Sequence, residues 1–431
     1  MTHANLPAKG KDWTTLEAEM QAARADDADW RGGRLGVFVH YAGEDVLEVA
    51  KKAYAMFFTE NGLGPAAFKS LAKFEREVVQ MTAGLLSGGD GVRGTMTTGG
   101  TESILLAMKS ARDWGRAANR GGAPVHDRAG AMHERAGGMH DRPGAMPRIV
   151  CSETAHPAFD KSAHLLGMEV TRVPVRADLA PDLDGIARAI DDRTIALVAS
   201  APNYPYGMVD PVRDYAALAA KHGLWLHVDA CVGGYIAPFA RKLGRPIPDF
   251  DFAIPEVTTI SADCHKYGYA AKGASTLLFR DEEAFSHLAY DFSGWPRGRY
   301  FTQTFTGTRA GGAIAAAWAV MNYLGESGYL NVVERILATR EAIERGAAAL
   351  GCHVIGTPQL GITAFGHAKK DIYAAGDRLA TRGWFVSRLA QPRGIHLMLN
   401  LLHEPVVKQY LDDLAWALEG ASGASESKAA Y

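Results

Sequence analysis

Apolar residues recur three and four apart through 65–86, where Phe68, Leu71, Ala72, Phe74, Val78, Val79, Met81 and Leu85 fall near one face; this predicts an amphipathic helix. A glycine-rich turn at 88–94 ends it, and Thr97-Thr98-Gly99-Gly100-Thr101-Glu102 opens a second helix over 103–116. Between 148 and 280 the period changes. Short apolar runs at 148–152, 169–174, 195–200, 225–228, 258–261 and 275–279 read as strands, with helical segments at 158–166, 183–190 and 212–222 among them. This alternation predicts an α/β fold with a mostly parallel sheet covered by helices on both faces, where ligands collect at the carboxyl ends of the strands. A long helical region follows from 310 to about 350. Strands near 361–365, 384–387 and 395–399, with a last helix over 405–418, predict a small C-terminal α+β domain.

The chain therefore divides into an N-terminal segment (1–60), a large domain (61–310), and a long helix with the small domain (311–431). One stretch breaks the rhythm inside an insertion at 116–147: residues 126–132 recur as 133–139 and again as 140–146, starting on His126, His133 and His140. Glycine in every copy and Pro143 in the third oppose a helix, so a flexible surface insertion grown by tandem duplication is expected rather than a heptad or a metal site.

Composition narrows the class. Of 431 residues, 47% are hydrophobic and 22% charged, as in ordinary globular proteins, and the net charge of -2 gives no field that favours nucleic acid or anionic lipid. Cys151, Cys231, Cys264 and Cys352 are scattered with neither a CxxC pair nor metal spacing, which reads as reduced thiols and no metal. Residues 1–13 lack the apolar core of a signal peptide, and the most apolar stretch, 313–324, is too short to span a bilayer. A cytoplasmic protein with no integral membrane segment is expected.

Four sites at predicted strand ends carry candidate chemistry. Lys266 follows the strand at 258–261 beside His265; Asp229 ends the run Trp225-Leu226-His227-Val228; Gly99-Gly100-Thr101 starts a helix; His156 follows the strand at 148–152. Each has an ordinary reading: a solvated lysine, a loop cap, a common turn, a helix-entry histidine. Together they supply what pyridoxal 5'-phosphate needs: an amine for its aldehyde, an acid for its pyridine nitrogen, helix-start N–H groups for its phosphate, and a flat ring to stack on it.

Their order resembles the fold-type I pyridoxal-phosphate enzymes, in the group II decarboxylase branch. Within it the runs 98–105, 155–161, 228–234 and 261–268 are most similar to the sphingosine-1-phosphate lyases, and the resemblance extends from about residue 30 to the C-terminus around the 116–147 insertion. It implies that 61–310 is the cofactor-binding domain, that Lys266, Asp229 and His156 are catalytic, and that Gly99, Gly100, Thr101, Asn203, His265 and Thr308 help hold the cofactor. It also implies that Lys272 and Tyr41 meet a substrate phosphate, that Tyr204 and Tyr206 line the pocket with Asn203, and that the Gly307-Thr308-Arg309 loop reaches the neighbouring subunit of a homodimer. The implied reaction is retro-aldol cleavage of a phosphorylated long-chain amine to a long-chain aldehyde and phosphoethanolamine. The aromatic-rich stretches 55–59 and 291–305 are candidate walls for the acyl tail or plain core.

One position departs from the family. Asn61-Gly62-Leu63-Gly64 has glycine where the family carries a histidine near the substrate phosphate, a loss worth about 1.5–3 kcal/mol unless replaced. His40 is a candidate replacement. An amino-acid α-decarboxylase is the alternative reading, and a non-catalytic cofactor-binding protein the third.

Overall fold

The computed structural model describes residues 4–118, 146–421 and 425–429. The seven-residue repeat lies outside these residues except for Met146. Helices α1 (Trp13–Ala23), α2 (Glu44–Met56) and α3 (Lys69–Leu85) precede strand β1 (Arg93–Thr97) and helix α4 (Gly100–Ala117). Next come β2 (Arg148–Ser152), α5 (Ala158–Leu166), β3 (Glu169–Val173), α6 (Leu183–Ala189), β4 (Thr194–Ser200), α7 (Val212–His222) and β5 (Trp225–Asp229). The large domain closes with α8 (Ala237–Lys242), β6 (Thr259–Ala262), β7 (Ser275–Phe279) and α9 (Glu282–Ser286). A hairpin, β8 (Tyr290–Trp295) and β9 (Gly298–Thr302), leads to α10 (Gly311–Ala349). The small domain comprises β10 (Cys352–Val354), β11 (Ile362–His367), α11 (Ile372–Thr381), β12 (Ser387–Leu389), β13 (Gly394–Met398) and α12 (Val407–Glu419).

Seven strands form the main sheet in the order β1-β7-β6-β5-β4-β2-β3. Pairs from β3 to β6 are parallel, whereas β7 runs antiparallel to both β6 and β1. Successive residues of a strand pack on opposite faces. Ile149 and Cys151 of β2 join α4 and α5 in one core, while Val150 joins the other, which contains Tyr215 and Ala216 of α7. Every residue of β4, β5, β6 and β7 is buried, as a sheet covered on both sides requires. The small domain carries a four-stranded antiparallel sheet, β10-β11-β13-β12.

Several expectations shift. The first predicted helix begins later, at Lys69, after a turn in which Gly64 N donates to Asn61 O at 3.3 Å. Part of the expected glycine turn is β1, and the long helical region is two helices broken at Gly325, whose φ is 53°. The strand expected at 384–387 is displaced to Ser387–Leu389, and the 291–305 stretch is mostly an exposed hairpin.

The N-terminal segment does not stand apart. Leu35 bridges to Phe385, Met398 N donates to Gly36 O at 2.6 Å, and Asn400 Nδ2 donates to Val39 O at 2.9 Å. Residues 35–41 thus form a strap along the small domain that ends over the loop after β6. Among the described residues, no helix is long and apolar enough to cross a membrane, and no group of His, Cys, Asp and Glu could hold a metal ion.

Candidate active site

The strand ends assemble the site. Asp229 is the last residue of β5, in register with Ser200 of β4 and Ser261 of β6. Cys231 N (3.0 Å) and Ser261 Oγ (3.3 Å) both donate to its Oδ1. Two bonds on one oxygen fix the carboxylate plane and leave the other oxygen's lone pairs for a protonated ring nitrogen.

Beyond β6 the chain folds back on itself. Tyr269 N donates to Lys266 O, Ala270 N to Cys264 O and His265 N to Ala274 O, each at 3.0 Å. Tyr269 takes φ 59°, a left-handed conformation that costs a non-glycine residue of order 1 kcal/mol. This turn returns the chain so that Lys272 Nζ donates to His265 O at 3.2 Å, close to Lys266 despite the six-residue separation. The buried ring of Tyr267 pins the loop to the small domain through its hydroxyl, which donates to Leu399 O at 2.9 Å.

Lys266 Nζ lies 2.9 Å from Asp263 Oδ2. Burial disfavours its charge, but the Asp263 carboxylate, helped by Asp229, outweighs burial and raises its pKa. Burial would raise Asp263 in turn, yet Lys266 and His265 hold it below the usual carboxylate value. Asp263 was missed from sequence; the available signal was a carboxylate three residues before the lysine in a turn. Among the described residues, Asp263 Oδ1 and His265 Nδ1 are both buried without a hydrogen-bond partner.

Helix α4 aims its first turn at the same place. A Cβ on Gly99 would sit 3.5 Å from His265 Cε1, and one on Gly100 would sit 2.8 Å from Cys231 Sγ and 2.9 Å from Asp263 Oδ2. At Gly100 only glycine lets the helix start approach so closely, and the first-turn N–H groups at Gly100 and Thr101 have no intrahelical acceptor. Glu102, also unassigned from sequence, accepts from Thr98 N (2.7 Å) and Phe305 N (2.8 Å). It thereby ties the loop leading to Thr308 to the start of α4. Thr308 Oγ1 accepts from Asn61 Nδ2 at 3.2 Å.

His156 is half-buried, and its Nδ1 accepts from Ala158 N at 3.1 Å, which fixes the ring. Burial lowers its pKa against the opposing pull of Asp229, so the ring is neutral at pH 7. Asn203 is buried in a loop where its Oδ1 accepts from Tyr206 N (3.1 Å) and its Nδ2 donates to Asp210 Oδ1 (3.4 Å). Its amide builds the loop beside β4. Tyr204 packs on His396 at 4.7 Å, and Tyr206 donates to Gln391 O at 2.9 Å.

The strap carries His40 to the loop after β6, whereas Tyr41 has its side-chain contacts with Trp30 and Glu44 of the N-terminal segment. Tyr41 donates to Glu44 Oε2 at 3.4 Å, and burial with that carboxylate raises its pKa. His40 packs edge-on against Tyr267 at 5.0 Å, among the charges of Lys272, Lys266 and His265. Gly64 instead belongs to the turn before α3, next to Asn61 and the Thr308 loop.

These residues fit pyridoxal phosphate: an amine on Lys266, an oriented carboxylate on Asp229, an open helix start at Gly99–Thr101, and the unpartnered His265 Nδ1 all converge. The pyridoxal-dependent decarboxylase conserved domain matches residues 69–365. A sphingosine-1-phosphate lyase of Oryza sativa is 38% identical over 405 residues, covering 92% of this chain and 71% of its own length. A solved Burkholderia pseudomallei sphingosine-1-phosphate lyase superposes with a TM-score of 0.88 at 34% identity, covering 97% of this chain and 93% of that one. A probable L-tyrosine/L-aspartate decarboxylase of Methanothermobacter thermautotrophicus is 30% identical over 376 residues, covering 86% of this chain and 93% of its own length. The chain is a pyridoxal-phosphate-dependent lyase of the pyridoxal-dependent decarboxylase family, and within that family it belongs with the sphingosine-1-phosphate lyases.

Proposed function

We propose that the protein cleaves a phosphorylated sphingoid base by a retro-aldol reaction, releasing a long-chain aldehyde and phosphoethanolamine. The observation that carries this reading is Lys272, a second lysine folded back beside Lys266, which a substrate phosphate requires and a simple amino acid does not. The lyase relatives, which exceed the decarboxylase in identity, support it.

When bound, pyridoxal phosphate supplies the electron sink for the broken C2–C3 bond. Lys266 would hold the cofactor through its amine, which Asp263 positions at 2.9 Å. Asp229, with its carboxylate oriented by Cys231 N and Ser261, would keep a proton at the cofactor's ring nitrogen, and His156, fixed by Ala158 N, would supply a flat ring against it. The N–H groups of Gly100 and Thr101, with His265 and Thr308, hold the cofactor phosphate, while Asn203 shapes the neighbouring loop. Lys272 and Tyr41 take the substrate phosphate. The ammonium of Lys266, paired with Asp263, would be the proton source at this place. The functional unit is a homodimer in which the Gly307–Arg309 loop completes the partner's site, and the place of work is the cytoplasm.

The test is to incubate the purified holoenzyme with sphingosine 1-phosphate and follow both products by mass spectrometry. Equimolar aldehyde and phosphoethanolamine are expected. No aldehyde, with carbon dioxide released from tyrosine, aspartate or glutamate, assigns the protein to the decarboxylases instead. Lys266→Ala should abolish both activity and the visible absorbance of the cofactor–lysine adduct.

A further inference from the structure

Lys272 is a cation without an anion. Among the described residues no carboxylate lies within ion-pair distance of it, its one hydrogen bond goes to a backbone carbonyl, and the nearby Asp263 is already engaged by Lys266. His40 shares this surplus of positive charge. Among the described residues its Nδ1 is buried without a hydrogen-bond partner, and its Nε2 has only the Met398 Sδ at 3.1 Å. A thioether is a weak acceptor, so little holds the imidazole proton at Nε2. The groups whose charge reaches the ring are Lys272, Lys266 and His265, all basic. A buried polar atom left unpaired destabilises the fold, a cost that a ligand present during turnover removes.

We propose that His40 is a phosphate-binding residue of this enzyme, donating from Nδ1 to the same substrate phosphate that Lys272 pairs with. The inference rests on the phosphorylated-substrate reading and adds to it a specificity-determining contact. The strap fixes the ring for this role: Asn400 holds Val39 O, Leu401 N donates to Tyr41 O at 3.3 Å, and Tyr267 blocks one side of the imidazole. A phosphate dianion entering between Lys272 and His40 neutralises the local charge and draws the imidazole proton to Nδ1. Binding and prototropic shift are then one event, with no co-reactant and no net transfer of protons to solvent.

The experiment uses the holoenzyme, whose cofactor covers Lys266, and inorganic phosphate as the probe. A brief pulse of sulfosuccinimidyl acetate acetylates Lys272, and peptide mass spectrometry reads the fraction labelled at each phosphate concentration. Phosphate should protect Lys272 in the natural enzyme. In His40→Leu and His40→Ala the concentration for half-protection should rise about tenfold, the loss of one charge-assisted hydrogen bond, whereas His40→Gln should retain most of the protection. Two donorless variants of unlike size are used so that a folding failure in one leaves the other, and the cofactor absorbance checks each fold. Equal protection in all variants overturns the role of His40, as does an unprotected Lys272 in the natural enzyme. Protection that depends on His40, with no cleavage of sphingosine 1-phosphate, retains this inference and rejects the proposed reaction.

Discussion

Lys266 and Lys272 carry like charges in one short loop, and their surroundings treat them oppositely. Asp263 stabilises the Lys266 ammonium, whereas burial of the stem and repulsion from Lys266 push Lys272 down to about 8 from 10.5. The sign for function follows. Lys272 must be charged to hold a phosphate, so kcat/KM for the phosphorylated substrate should be full well below pH 8, drop to half near 8 and fall with unit slope above it. A pH–rate profile reads this limb, and Lys272→Arg, which stays charged throughout, should erase it. For Lys266 the corresponding substitution is Asp263→Asn. Losing the adjacent carboxylate should lower the amine's pKa by at least about one unit, so that apoprotein Lys266 acetylates about tenfold faster at neutral pH. An unchanged rate would show that Asp263 is only a packed core residue.

At the scale of elements, the site depends on how closely α4 approaches β6. Gly100→Ala places a methyl 2.8 Å from Cys231 Sγ and 2.9 Å from Asp263 Oδ2, so the helix start must retreat. Cofactor affinity, measured by titrating apoprotein and following absorbance, should fall at least about tenfold, or 1.4 kcal/mol. The same geometry explains what could be read from sequence. Strands β4 to β7 are buried on both faces and read as apolar runs, and polar residues stand at or just past the ends of such runs, so Asp229, His156 and Lys266 could be singled out as candidates. β1 was not. Its residues Arg93-Gly94-Thr95-Met96-Thr97 include a single large apolar side chain, and it is an edge strand, with Glu75 Oε1 accepting from Met96 N at 3.0 Å. The hairpin β8–β9 is largely exposed, so its aromatics carry no buried alternation to read. Local pattern was equally silent about the strap, because Leu35 pairs with Phe385 and His40 meets Met398, contacts that only the tertiary fold creates.

At the scale of the molecule, the isolated chain leaves apolar side chains exposed near the loop assigned to the partner's site. Phe305 is 70% exposed three residues before Thr308, and Leu63, beside Asn61, is 43% exposed. A dimer that buries this region is expected to sediment at twice the chain mass. Phe305→Ser should raise its dissociation constant and reduce activity in proportion to the dimer lost, which dilution series by sedimentation and by assay can compare. A fully active monomer would remove Thr308 from the cofactor's ligands.

The strap has one more consequence. Residues 35–41 are bonded to the small domain, yet they present His40 to a loop of the large one. A headgroup gripped by Lys272 and the strap would act as a rivet through three distant stretches of chain. Occupancy should therefore be audible far from the chemistry, as slowed amide exchange along the strap and the β13 end that holds it.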